Sequence, residues 1–381
     1  MGRSFGLAAV VMTAIVLWWS AALRLHFKAD FTRLFLVGDD WEMPPELDAL
    51  APAKVPGTGY DGQWYLLMTI DPFLTKRFDL KMDDGRLRYR RILVPLLAHF
   101  AAGGVVTRAP VAFGFVTVLF IGLGVYWCSQ FALSLDRSYL WGWAFALLPG
   151  LLAAVDRMGV DAAMAALTMG LCHYVRQKSR WRLFLVLVLV GLTRETGLLL
   201  IAAVAFSCFC AKDWGKLIPA GVSALPAFAW FCYVASITAP SDNPFAFDYP
   251  FSVVVRAIAN PELYPNTGWI LALVQGWDVA SIVAIISIMS LALVRFRCDA
   301  PGCAAALFAL SGIYLASGKE PTVFVDVFAY GRAFAPLFVL ALARSMESSN
   351  WQTLALSGVI SLRIAMFFVA PFLTIIHSLL R

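Results

Sequence analysis

The string Gly59-Tyr60-Asp61-Gly62-Gln63-Trp64-Tyr65 places one acid among glycines and aromatics. Small neighbours keep the carboxylate uncrowded, and an Asp with an ordinary pKa of roughly 3.9 is ionised at neutral pH and able to accept a proton. Tyr60, Trp64 and Tyr65 carry the ring types that seat a loop at the level of lipid headgroups. Tyr60, Gln63 and Tyr65 are the candidates for positioning that loop or a bound acceptor. The same pattern has a structural reading, with Asp61 as an Asx-type turn residue or helix N-cap and the rings as an interfacial belt.

A second set of residues suits an anion. Arg90 and Arg91 close the run Arg88-Tyr89-Arg90-Arg91, Arg157 stands in Asp156-Arg157-Met158-Gly159-Val160-Asp161, Arg194 precedes Glu195, Lys319 precedes Glu320-Pro321, and Arg332 follows Tyr330-Gly331. A guanidinium donates in pairs from a planar fork, the geometry that matches phosphate. Plainer uses stand beside each: headgroup contact for Arg90 and Arg91, a structural ion pair for Arg194 and Glu195, a charged turn with a Pro stop for Lys319. Asp161 is a second candidate acid whose structural alternative is capping the helix that starts at Ala162. Asp61 and Asp161 together also suit a divalent cation, although two carboxylates do not identify a metal.

The elements that must position these residues are membrane helices. Apolar residues make up 61% of the 381, charged ones only 14%, and the mean hydropathy is +0.77, with 13 Trp and 29 Phe. No water-soluble surface has that composition, so the chain is expected to be an all-α polytopic membrane protein whose helices satisfy their own backbone in lipid. The net charge of +6 lies mostly between apolar runs and not in a solvated basic domain, which argues against nucleic acid as a partner. Seven cysteines, nearly all in or beside apolar segments, indicate packing and no disulfide framework.

Phe5–Leu23 is expected to be an uncleaved first anchor. Residues 26–91 then form a long first outer loop holding 11 of the 24 acids, and 92–104 reads as an interfacial or re-entrant helix. Ten more apolar runs follow between about 110 and 376, for an expected total of 11 membrane segments, several too short to cross alone. Short broken helices are tolerated only where protein or a water-filled cavity covers them, so the clustering at 140–210 points to a cavity. Within it, 183–210 is expected to be a helical hairpin with Thr193-Arg194-Glu195 at its tip, since one continuous helix would place both charges in lipid at roughly 2.5 to 3.5 kcal/mol each. Residues 238–268 form a second outer loop. With the N-terminus inside, Lys and Arg in the short loops number 11 on the cytoplasmic side, among them Arg137, Arg176 and Arg344. The outer side has five: Arg157, Arg194, Arg256, Lys319 and Arg332. The whole of 1–381 is read as one integral domain of the cytoplasmic membrane with its candidate site outside.

Taken together, Gly59 to Tyr65, Asp71-Pro72-Phe73, Tyr89-Arg90-Arg91-Ile92-Leu93 and Leu192-Thr193-Arg194-Glu195-Thr196 resemble the GT-C superfamily of polyprenyl-phosphate-sugar-dependent membrane glycosyltransferases. The run is most similar to a bacterial family of cell-surface glycopolymer formation. The likeness extends through about residue 210 and is diffuse beyond it. It implies a GT-C-like bundle and an inverting glycosyltransferase that moves a sugar from a polyprenyl-phosphate donor to a glycan, lipid or protein hydroxyl on the outer face. It further implies Asp61 as catalytic base, Asp161 as the second outer acid, and Arg194, Arg332 and Arg157 as phosphate ligands, with the loop 238–268 over the acceptor. In one departure from more distant members, which often have an acid pair at the first motif, Asp61 is followed by Gly62. Two other classes stay open: a transporter or flippase of lipid-linked glycan, and a noncatalytic assembly factor of surface glycan synthesis.

Overall fold

Backbone polar groups that face lipid have no water to bond, so an apolar chain must pair them within helices. The computed structural model describes residues 2–27, 29–177, 179–240, 248–261, 264, 267–318 and 322–380. Its helices are α1 Gly2–Leu25, α2 Gly62–Ile70, α3 Gly85–Tyr89, α4 Leu93–Ala102, α5 Ala109–Leu133, α6 Trp141–Ala146, α7 Pro149–Arg157, α8 Asp161–Val175, α9 Arg180–Thr193 and α10 Gly197–Cys210. They continue as α11 Trp214–Val222, α12 Leu225–Ile237, α13 Ser252–Ala259, α14 Gly268–Val294, α15 Ala300–Ala316, α16 Thr322–Val325, α17 Val327–Ala333, α18 Ala335–Ser348, α19 Gln352–Ala365 and α20 Val369–Leu379. The sole sheet among the described residues is a parallel pair in the first loop, Val37–Gly38 against Lys54–Val55.

Among the described residues, five stretches are long and apolar enough to cross a membrane: Gly2–Leu25, Val106–Leu133, Trp214–Ile237, Gly268–Val294 and Gln352–Ser378. The pair α17 and α18, bent by 62°, makes a sixth if counted as one span. The chain is thus an all-α, polytopic, membrane-embedded protein, but the eleven segments counted from hydropathy do not all appear as spans. The reason is length: α8, α9, α10 and α15 run 15, 14, 14 and 17 residues, short of a full perpendicular crossing, and protein covers much of them. Every residue of α8 from Asp161 to His173 is buried, so this apolar run packs against protein and not against lipid. Its Ala-rich first turns, Asp161-Ala162-Ala163-Met164-Ala165-Ala166, are small enough to let neighbouring helices approach closely. Helix α5 is buried on most of its circumference as well, and α1, α4, α6 and α8 pack around it.

Helices α9 and α10 are separated by Arg194–Thr196, with Arg194 extended at φ −160° and ψ 148°. The first residue of α9, Arg180, lies against Gly215 at the start of α11, so the two arms leave and return at one end of the bundle. The other surprise is in the polar first loop. All nine residues of α2 are buried, making this segment an inserted part of the core beside α4 and α5 and not a surface turn.

Candidate functional site

Helix α2 begins just after Asp61, and Asp61 occupies its N-cap position with helical φ/ψ and no side-chain capping bond. The carboxylate is therefore not used by its own helix. What brings it inward is Gly62: a Cβ there would stand 2.8 Å from the Phe35 carbonyl oxygen and 2.9 Å from that of Arg157. Only glycine lets the loop close onto the last turn of α7. Asp161 likewise does not cap α8 as the sequence suggested; it is the first residue of the helix, after Val160. A carboxylate at a helix N-terminus is favoured by the dipole, and here it also meets cations.

Asp61 and Asp161 are joined by one arginine. Arg332, at the bend between α17 and α18, donates from Nη2 to Asp61 Oδ2 at 2.8 Å and from Nε to Asp161 Oδ2 at 2.6 Å. Arg194 donates to the other oxygen of Asp161, Oδ1, at 2.6 Å. Gly159 makes room for this, since a Cβ there would fall 2.5 Å from Asp161 Oδ2 and 3.1 Å from Arg332 Nε. Glu195 is gripped by Arg91 through two bonds of 2.9 and 2.8 Å, and a third donor of Arg91 reaches the Tyr65 hydroxyl at 3.1 Å.

Arg88 completes the cluster, with Nη1 2.8 Å from Asp61 Oδ2 and Nη2 2.6 Å from Asp83. Inside it, Arg88, Arg91, Arg194 and Arg332 face Asp61, Asp161 and Glu195, with Asp83 at the exposed rim. Desolvating so many charges is tolerated only because each has a hydrogen-bonded opposite. The cluster is graded in access: the Asp161 side chain is fully buried, whereas those of Asp61 and Glu195 are 25% and 26% exposed. Asp61 and Glu195 are both within reach of a substrate, but Arg91 takes both oxygens of Glu195, whereas the arginines on Asp61 meet at one oxygen. Arg88 and Arg332 both bind Asp61 Oδ2 at 2.8 Å. Burial pushes the Asp61 carboxyl up, but Arg88, Arg332 and Arg91 together outweigh it and hold the group well below the usual carboxylate range.

Arg157 stands at the edge. Its guanidinium lies 4.0 Å from the Phe328 ring centre and 4.8 Å from that of Tyr60, and its ion pair is with the adjacent Asp156 at 3.1 Å. Stacking fixes its plane without using up its donors. Tyr60 also lies under Arg332, 5.0 Å away, and donates its hydroxyl to Asp326 Oδ2 at 2.9 Å.

The structure thus brings together Asp61, Asp161, Arg91, Arg194, Glu195, Arg332, Tyr65, Tyr60 and Arg157. It does not bring Arg90, whose guanidinium sits 5.6 Å over the Phe231 ring. Gln63 is a loop-positioning residue away from any acceptor: it is buried, accepts from Gly38 N at 3.0 Å and donates to Thr58 O at 2.7 Å. Lys319 lies outside the described residues. Arg88 was missed, although its spacing of three from Arg91 puts both on one side of a helical turn and Arg90 on the other. As arranged, both oxygens of Asp161 are taken by guanidinium groups, a donor set neutralised by arginine and not one set out for a divalent cation.

No family model matches the chain, and neither does any curated protein or solved structure.

Proposed function

We propose that the chain is a GT-C type glycosyltransferase of the cytoplasmic membrane, using a polyprenyl-phosphate sugar as donor and working at the outer face. The observation that carries this reading is the part-exposed Asp61 carboxylate held between Arg88 and Arg332 at the mouth of an arginine-rich cluster. The acceptor hydroxyl oxygen attacks the anomeric carbon, and its proton passes to Asp61 Oδ1. The carbon–oxygen bond to phosphate breaks as the new glycosidic bond forms, with inversion, and the lipid phosphate departs with the electron pair. Arg157 and Arg194 are the donors best placed to hold that phosphate: Arg157 is 21% exposed and paired only with its neighbour, and Arg194 keeps a buried Nε with no hydrogen-bond partner. Asp161 orients Arg332 and Arg194 in place of touching substrate. The lipid bilayer supplies the donor, and a surface glycan, lipid or protein supplies the acceptor hydroxyl. No step is routed through a metal.

Its low pKa keeps Asp61 ionised at working pH but makes it a weaker base than one poised near that pH, so the proton is received late, once the hydroxyl oxygen has begun to bond to carbon. The test is sugar transfer by the purified chain in detergent, with lipid-linked donors and wild-type protein against Asp61→Asn at equal folded concentration. Transfer that falls by about a hundredfold to ten-thousandfold in the variant supports the assignment. Full activity in Asp61→Asn overturns it. A wild-type protein with no turnover in detergent, but with lipid-linked glycan movement in sealed vesicles, replaces the transferase by a transporter.

A further inference from the structure

A cleft enclosing about 190 Å³ opens at the opposite end of α18 from Arg332. Fourteen residues of α18 place the cleft's rim about 20 Å along the helix from Arg332, and its floor runs back along α18 toward Leu337. There α14 and α18 end, at Val294 and Ser348, and α15 and α19 begin, at Ala300 and Gln352. Ile288, Leu337, Leu340 and Ala341 form a buried apolar floor, and Leu291 and Ala292 form a half-buried wall. The rim is basic: Arg295, Arg297 and Arg344.

These arginines are not equivalent. Arg344 is engaged, bonding Asp299 at 2.9 Å and Glu347 at 2.7 Å. Arg295 is exposed and reaches only the neutral Gln352 Oε1 at 2.8 Å. Arg297 is exposed, and its side chain has no hydrogen-bond or ion-pair partner among the described residues. Three cations against Asp299 and Glu347 leave the rim positive. Both α14 and α19 belong to membrane-crossing stretches, so their ends lie where headgroups meet hydrocarbon. An apolar trough below unpaired guanidinium groups at that depth has the shape and charge of one molecule: a hydrocarbon chain joined to a phosphate.

We propose that this cleft binds an anionic phospholipid of the surrounding bilayer, with an acyl chain on the Leu337–Leu340–Ala341 floor and the phosphate against Arg295 and Arg297. The site is separate from the Asp61 cluster, and the proposal does not rest on the transferase reading. A net positive rim prefers an anionic headgroup to a zwitterionic one, and the apolar floor prefers a lipid to a free anion.

The full chain purified in mild detergent is titrated with phosphatidylglycerol, phosphatidylcholine and inorganic phosphate, and bound lipid is counted by native mass spectrometry. The expected result is a preference of about tenfold for phosphatidylglycerol over phosphatidylcholine, lost in the Arg295→Gln/Arg297→Gln double variant. Both residues are exposed, so the variant should unfold at the wild-type temperature. Ala292→Phe, which fills the wall, should weaken both lipids together while leaving any binding of inorganic phosphate intact. Equal binding of the two lipids, an unchanged preference in the double variant, or inorganic phosphate competing as well as the lipid would each overturn the proposal.

Discussion

Two places in this protein bury arginine against carboxylate inside an apolar bundle, and they are built to opposite plans. Arg363 of α19 bonds Asp278 of α14 at 2.7 Å, with the Tyr264 hydroxyl on the other carboxylate oxygen at 2.9 Å and the Phe367 ring 4.9 Å from the guanidinium. It is a closed pair, one cation to one anion, tying together two stretches long and apolar enough to cross a membrane. The Asp61 cluster draws on α2, α3, α8, the α9–α10 break and the α17–α18 bend, places four arginines around Asp61, Asp161 and Glu195 with Asp83 at the rim, and leaves Asp61 and Glu195 part-exposed. Intramembrane charge alone is therefore no mark of a site. Charges shared among several partners and graded from a sealed interior to an accessible edge are what distinguish a place prepared for a ligand from a clamp.

The comparison is broken most directly at the sealed end. Removing one partner of a buried pair typically destabilises by about 3 to 5 kcal/mol, because the other charge is left without compensation. Asp161→Asn removes the buried anion shared by Arg194 and Arg332, leaving Arg332 with Asp61 as its only acid and Arg194 with only Glu195 at 3.8 Å, whereas Arg363→Met uncouples the single acid Asp278. Thermal unfolding in detergent should therefore fall further for Asp161→Asn, and transfer should be lost with it. A milder effect at Asp161 than at Arg363 would mean that the cluster is not organised around Asp161.

The next effect is on pH dependence. Because arginines hold the Asp61 carboxyl low, transfer that needs its ionised form persists as pH falls and is lost only on passing through that depressed value. Its contribution to folding has the same sign: present above the ordinary unfolded value of about 3.9, and lost as pH drops through the folded one. Arg88→Gln removes one of the two guanidinium groups on Oδ2, which should raise the Asp61 pKa and move the acid limb of the rate profile upward by about one to three units. Arg363→Gln should leave that limb in place. If Arg88→Gln changes rate but not the position of the limb, another group is titrating.

Much of this site was legible one residue at a time but not in its wiring. The candidate acids and most of the cations stand out because charge is rare in this chain, whereas Gly62, read only as an uncrowded neighbour of Asp61, turns out to permit a tight backbone approach. What periodicity does not carry is partner choice. Arg332 reaches Asp61 across 271 positions of sequence and Asp161 across 171, contacts set by helix packing. The helical class follows from composition, yet the number of crossings did not, since an apolar run such as α8 stops at 15 residues and is covered by protein, while α2 is buried inside a loop read as polar. Hydropathy reports that a segment avoids water and is silent on whether lipid or another helix covers it.

The smallest expected effect comes from replacing the closed pair outright. Exchanging a buried ion pair for apolar side chains of similar volume is often neutral or stabilising by about 1 to 4 kcal/mol, because no charge then has to be desolvated. Arg363→Met with Asp278→Leu, and Tyr264→Phe to remove the hydroxyl that bonded Asp278, should give a protein that unfolds at or above the wild-type temperature. Its transfer rate should stay within about twofold of wild type, equivalent to less than about 0.5 kcal/mol. The matching exchange in the cluster, Asp161→Leu with Arg194→Met, cannot behave this way, since Arg332 keeps its charge and loses its buried acceptor. A triple variant at α14 and α19 that folds but no longer transfers sugar would erase the distinction, and the Arg363–Asp278 pair would then belong to the working site as much as Asp61 does.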